Sequence, residues 1–178
     1  PACEPADGER PDCTTTPIGA IDYSKSVSVS EGTIGAGSVL TYTVTANSTG
    51  VATMPVSRED VLTDVLDDAT VATQPTSDTE SVTVTEIADE RFALGGELAG
   101  GQSATITYSV TINEEDARGN NAANNFLVVP GEEPAEECVE GSDECTSTLL
   151  SNVDVVKSVD PESGSTVQAG QELTYTLT

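Results

Sequence analysis

From residue 103 to residue 113 the chain alternates without a break. Ala104, Ile106, Tyr108, Val110 and Ile112 take one side, and Ser103, Thr105, Thr107, Ser109, Thr111 and Asn113 the other. A period of two built from β-branched residues and threonines predicts a half-buried strand. The pattern returns at 40–46 and 82–85, and residues 25–29 open in the same style. The apolar run at 125–129 predicts the strand that closes the series. Turn chemistry separates these runs: Ser48-Thr49-Gly50, Gly95-Gly96, Gly100-Gly101 and Arg118-Gly119-Asn120-Asn121. Only residues 60–68 read as a helical turn. Short strands between such turns predict an all-β fold, an antiparallel Ig-like β-sandwich.

The pattern also repeats on a longer scale. Cys13-Thr14-Thr15-Thr16 leads to Lys25-Ser26-Val27, and Cys145-Thr146-Ser147-Thr148 leads to Lys157-Ser158-Val159. The interval from Cys13 to Cys145 equals that from Lys25 to Lys157, 132 residues. Leu40-Thr41-Tyr42-Thr43 is answered by Leu173-Thr174-Tyr175-Thr176. A repeat of this length is domain-sized. It predicts a tandem array in which 1–16 is the tail of one copy, 17–150 a complete β-sandwich copy, and 151–178 the first strands of the next. Lys25 and Lys157 are the chain's two lysines. A residue otherwise avoided, yet kept at a fixed repeat position, points to a chemical task rather than to solubility.

Charge and composition narrow the function classes. With 31 acidic and 6 basic residues the net charge is −25, which argues against nucleic acid and against anionic membrane surfaces as partners. No apolar run approaches a membrane span, so membrane insertion is not expected. Histidine and tryptophan are absent, which removes Ser–His and Cys–His nucleophiles and histidine metal ligands. No cofactor and no metal is expected. Four cysteines fall as two close pairs, Cys3/Cys13 and Cys138/Cys145, each in an acidic, loop-like segment. Local pairing gives one disulfide per copy and implies an oxidising compartment. The rival, a zinc site of all four, has spacings that do not fit the usual ligand patterns. The segment 132–144 carries seven carboxylates but lacks the D-x-D-x-D-G spacing that wraps calcium, and reads as a solvated acidic loop.

In an Ig-like sandwich the first and last strands can lie side by side, which would set Lys25 beside the closing strand and its Asn125. A buried lysine loses its charge by desolvation and becomes nucleophilic, while a buried carboxylic acid stays protonated and polarises an amide carbonyl. Lysine, asparagine and one acid together can form an amide bond and expel ammonia. Each residue also has a plainer reading: Lys25 as a salt-bridged surface lysine, Asn125 as a turn former among Asn120, Asn121 and Asn124, and Asp60 as a helix N-cap.

The chain resembles the repeat modules of very large surface proteins of Gram-positive bacteria, especially actinobacteria. The resemblance runs from Lys25-Ser26-Val27 through Leu40-Thr41-Tyr42-Thr43-Val44-Thr45 and Asn47-Ser48-Thr49-Gly50. It continues in Asp60-Val61-Leu62-Thr63-Asp64-Val65-Leu66-Asp67-Asp68-Ala69 and Gly101-Gln102-Ser103-Ala104-Thr105-Ile106-Thr107-Tyr108, then Asn125 before Pro130-Gly131. Many such modules are Ig-like and carry intramolecular Lys–Asn isopeptide bonds. The resemblance implies Lys25 as nucleophile, Asn125 as acceptor and Asp60 as proton shuttle, with Glu59 and Asp64 as alternative acids, and Lys157 as the lysine of the following copy.

The expectation is a structural stalk or fibre module of an extracellular, cell-surface adhesin or filament. Its chemistry would be self-directed, so it would not be an enzyme. Its partners would be adjacent repeats of the same chain, or neighbouring copies in a filament. A module that binds a glycan or host protein, and an accessory domain of an exported enzyme, are the alternatives.

Overall fold

The computed structural model describes residues 16–29, 34–151 and 156–178. Cys3 and Cys13, with all but the last residue of the expected tail at 1–16, lie outside the described residues.

Two antiparallel sheets form a sandwich. The first holds β1 (Gly19–Val29), β2 (Val39–Gly50), β8 (Ser103–Ile112) and β5 (Ala69–Ser77), in the order β1-β2-β8-β5. The second holds β3 (Met54–Pro55), β4 (Arg58–Val61), β7 (Arg91–Leu98), β9 (Ala122–Val128) and β10 (Cys145–Leu149), in the order β10-β9-β4-β7-β3, with β6 (Val82–Val84) paired to β7. A one-turn helix α1 (Thr63–Leu66) follows β4, and a single 3₁₀ turn spans Glu115–Ala117. Residues 151–178 contribute β11 (Lys157–Asp160) and β12 (Thr174–Leu177), which pair antiparallel with each other.

The alternation seen in the sequence becomes the core. Leu40, Tyr42, Val44 and Ala46 of β2 and Ala104, Ile106, Tyr108 and Val110 of β8 have no exposed surface. Because β2 and β8 pair with Tyr42 opposite Tyr108, the two rings stack with centroids 5.2 Å apart. Phe92 from β7 meets Tyr108 edge-on at 5.1 Å across the interior. These rings supply much of the volume in a core otherwise made of valine, leucine, isoleucine and alanine.

Three sequence expectations need correction. Gly95 and Gly96, read as a turn, lie inside β7 and pair with Thr83 and Val82. Gly96 has φ 106°, and a Cβ there would lie 2.1 Å from the Ser81 carbonyl, so close backbone approach demands glycine. Next, the strand at 122–128 does not close the sandwich, because β10 follows it. The inward residues of β10 are Thr146 and Thr148, with Ser147 outward, so polarity does not alternate and the strand is invisible as a pattern. Finally, β1 and β9 belong to opposite sheets, so the first and closing strands are not ladder neighbours. Their inward side chains meet across the interior instead.

Candidate functional site

Strand geometry forces Lys25 inward. Along β1 the residues facing the interior are Ile21, Tyr23, Lys25, Val27 and Val29, while Asp22, Ser24, Ser26 and Ser28 face solvent. A lysine at the centre of that apolar series has nowhere else to point. Asp60 lies in β4 between strands β7 and β9, paired with Phe92 and Leu127. The side chains of Lys25 and Asp60 are both 0% exposed. Asn125, on the inward face of β9 with Ala123 and Leu127, is also completely buried.

These three residues converge on the hydroxyl of Tyr108. Lys25 Nζ donates to Asp60 Oδ2 and, at 3.1 Å, to Tyr108 Oη. Tyr108 Oη donates to Asp60 Oδ2 at 3.1 Å, and Asn125 Nδ2 donates to Tyr108 Oη at 2.5 Å. Asp60 Oδ1 and Asn125 Oδ1 are buried without a hydrogen-bond partner. Lys25 Nζ stands 5.4 Å from the ring centroids of both Tyr42 and Tyr108, so aromatic faces replace water around the amine.

Burial drives the ionisable groups towards neutrality. Desolvation pulls the Lys25 amine below the ordinary lysine range, against the opposing attraction of Asp60. Desolvation likewise pushes Asp60 above the ordinary carboxylate range, against the attraction and hydrogen bond of Lys25. Both shifts run toward the uncharged pair, the direction that lessens the cost of burying two charges. Tyr108 is held well above its usual value, first by burial and then by the nearby Asp60 charge, so its hydroxyl keeps its proton.

The acid-rich segment after β4 fixes where β9 begins. Asp68, fully buried, accepts the backbone N–H groups of Gly119, Asn121 and Ala122. Asp64 accepts the side-chain amides of Asn120 and Asn124 at 2.7 and 2.6 Å. Asn121 adopts φ 60°, a left-handed conformation that asparagine tolerates. The neighbouring asparagines thus hold the turn, and Asn125 alone of them enters the core site. Among the alternative acids, Asp64 is occupied in this way, and Glu59 pairs with Arg91 at 3.2 Å. Asp60 is the acid that meets Lys25.

A disulfide segment splints the two strands of the site. Cys138 and Cys145 are bonded, with Cα atoms 5.7 Å apart. Within that loop the Asp143 carbonyl accepts the Lys25 backbone N–H at 2.7 Å, and the Glu144 carbonyl accepts the Leu127 N–H at 2.7 Å. Beyond it, Thr146 pairs opposite Asn125 in β10. Arg58 adds an ion pair to Glu144 at 3.3 Å while its guanidinium lies over the Tyr23 ring. The expected pair Cys3/Cys13 lies outside the described residues.

Lys157 takes a different place. It is exposed on β11, with Nζ 4.9 Å from the Tyr175 ring centroid. A surface hollow of about 260 Å³ lies among Val61, Asp64, Asn124, Phe126 and Pro134, on the opposite face of β9 from Asn125. Among the described residues no three Asp, Glu or Cys side chains are arranged to hold a metal ion.

Sequence reasoning missed Tyr108 as part of the site, along with the backbone contacts of Asp143 and Glu144. The signal for Tyr108 was available: a tyrosine on the inward face of a fully buried strand needs a partner for its hydroxyl. Nothing in the composition of residues 143–144 signals a carbonyl contact.

No curated protein matches the chain. A family model described as "Domain of unknown function (DUF7927)" matches residues 20–150, the span from β1 through β10. With most of its length matched, and with the sandwich and its buried Lys–Asp–Asn constellation inside the match, the chain belongs to the DUF7927 family.

Proposed function

We propose that this sandwich is a load-bearing module of an extracellular surface protein, locked by an isopeptide bond that it forms itself between Lys25 and Asn125. The observation that carries this reading is a buried amine, a buried acid and a buried amide gathered around one hydroxyl in the core. Such groups are costly to bury, and two of their oxygens remain without a partner, so a reaction that consumes the amine and the amide gives their burial a purpose.

The neutral Lys25 amine attacks Cγ of Asn125. Asn125 Oδ1 has no hydrogen-bond partner before reaction, and protonated Asp60 would supply the donor that stabilises the charge developing there as the amine attacks. Collapse of the tetrahedral intermediate breaks the Cγ–Nδ2 bond and releases ammonia. One turnover consumes both residues, so the activity has no external substrate.

The cross-link joins the two sheets, and pulling force would pass from β1 directly to β9. The roughly one hundred residues between them would stay out of the load path, a contour of about 330–360 Å. The Cys138–Cys145 disulfide then bypasses residues 139–144 of the acidic loop on the way to β10. These two short circuits are what a stalk or fibre module needs, and the disulfide suits an oxidising exterior.

Intact mass tests the reading. The cross-linked chain is about 17 Da lighter than the sum of its residues after disulfide formation, the mass of one ammonia by the stoichiometry of acyl transfer. Asp60→Asn keeps the shape of the acid but removes the proton it holds, and is expected to leave the mass uncorrected for ammonia. A wild-type chain of full mass, or an Asp60→Asn chain that cross-links normally, rejects the mechanism.

A further inference from the structure

We infer that the Tyr108 hydroxyl is a catalytic proton relay in the cross-linking reaction, carrying a proton from the attacking Lys25 nitrogen to the leaving Asn125 nitrogen. The inference rests on the isopeptide reading and assigns a role to a residue that reading does not require.

Its basis is connectivity. Among the hydrogen bonds of the described residues, Asn125 Nδ2 has one partner, Tyr108 Oη. The same oxygen lies 3.1 Å from Lys25 Nζ and 3.1 Å from Asp60 Oδ2. Asp60 Oδ2 is therefore engaged with the amine and the phenol, and no hydrogen bond links it to the leaving nitrogen. The proton that must travel from Nζ to Nδ2 has an unbroken path only through Tyr108. Packing holds the hydroxyl in place, because the ring is clamped between Tyr42 and Phe92.

The protons balance as follows. In the ground state the amide nitrogen donates to Oη, since resonance leaves it no basic lone pair. When Nζ bonds to Cγ, the carbonyl electron pair moves to Oδ1, which takes the Asp60 proton. Amide resonance is lost, and Nδ2 becomes an ordinary amine able to accept. Tyr108 then gives its hydroxyl proton to Nδ2 and receives one from Nζ. The Cγ–Nδ2 bond breaks, ammonia departs, Oδ1 returns its proton to Asp60, and the tyrosine is restored. The elevated proton affinity of the buried phenol keeps it in the protonated form that this exchange needs.

The test follows the 17 Da loss over time in full chains that are refolded from denaturant before any cross-link has formed. Tyr108→Phe keeps the ring and its two aromatic contacts while deleting the oxygen. The expected result is a slowing of about a hundredfold or more, the usual contribution of a positioned acid–base group. Ser48→Ala removes a buried hydroxyl of β2 that has no hydrogen-bond partner and touches none of the site's groups, and controls for loss of a core oxygen. It is expected to cross-link at close to the wild-type rate. Near-ultraviolet circular dichroism establishes that each variant has folded. Should Tyr108→Phe fail to fold, 3-fluorotyrosine at position 108, which preserves size but acidifies the hydroxyl, is expected to shift the pH dependence of the rate. Folded Tyr108→Phe that reacts at the wild-type rate, equal slowing by Ser48→Ala, or an unmoved profile with 3-fluorotyrosine overturns the relay while leaving the isopeptide reading intact. A wild-type chain that never loses ammonia overturns both.

Discussion

The ribbon β1–β2 and the ribbon β11–β12 begin with the same residues and hold the same register. Val27 sits opposite Tyr42 and Val159 opposite Tyr175; Lys25 faces Val44 and Lys157 faces Leu177. In both, the lysine amine lies over the face of the paired strand's tyrosine, at 5.4 and 4.9 Å. Their environments differ completely. Tyr42 has no exposed surface, whereas Tyr175 is 59% exposed. Lys25 meets Asp60 and Tyr108, brought by β4 and β8, while β11 and β12 pair only with each other among the described residues. Local sequence thus sets a hairpin and its register, and strands distant along the chain decide whether its lysine lies exposed or is enclosed beside a carboxyl and a phenol.

The strongest test of that contrast is to delete each lysine in turn. Lys25→Ala is expected to abolish the ammonia loss and to lower stability by about 4–5 kcal/mol, the chain-entropy value for closing a loop of about a hundred residues. Lys157→Ala should leave the mass change intact. Peptide mapping and denaturant unfolding read both outcomes, and loss of the cross-link in Lys157→Ala would erase the distinction between the ribbons.

Replacing both Cys138 and Cys145 by serine probes the splint that, among the described residues, contacts the first ribbon. The short loop contributes roughly 2.5 kcal/mol by the same entropy relation. Because that loop touches the backbones of Lys25 and Leu127, the variant should also cross-link more slowly after refolding. An unchanged rate would separate the disulfide from the site.

The pH response sharpens the comparison next. Reaction needs a neutral amine and a protonated acid, so the rate should fall at low pH, where Lys25 takes up a proton, and at high pH, where Asp60 loses one. After cross-linking, Lys25 no longer titrates and only the raised Asp60 remains. A carboxyl with a raised folded-state pKa binds more protons folded than unfolded. Its contribution is therefore present below the ordinary carboxylate range and is lost as pH climbs through the folded value. A mature protein in which the Asp60 carboxyl, followed by carbon-13 NMR, titrates in or below the ordinary carboxylate range would contradict the buried assignment.

The smallest effect belongs to the second ribbon. Tyr175→Ala removes an exposed cation–π contact worth about 0.5–1 kcal/mol, and amide exchange in β11 should quicken only modestly. A large loss of protection would mean that the ribbon has packing partners that Tyr175 anchors.

The sequence by itself determined the strands whose polarity alternates. β2 and β8 follow directly from residues 40–46 and 103–112, because one face buried and one face wet leaves a period of two in the chain. It also placed Lys25 and Asn125 at the heads of apolar strands, whereas Asp60, read at the start of a helical turn, lies in β4 with the turn beginning three residues later. Only the tertiary structure decided what those residues touch. β10 buries threonines, β7 carries glycines for close backbone approach, and β5 pairs with β8 through register shifts, so none announces itself in polarity. The choice of Asp60 over Glu59 and Asp64, and the meeting of three buried groups at Tyr108, depend on tertiary packing between residues 17 to 83 positions apart. A one-dimensional pattern records which face of a strand is buried, but not which face of another sheet lies against it.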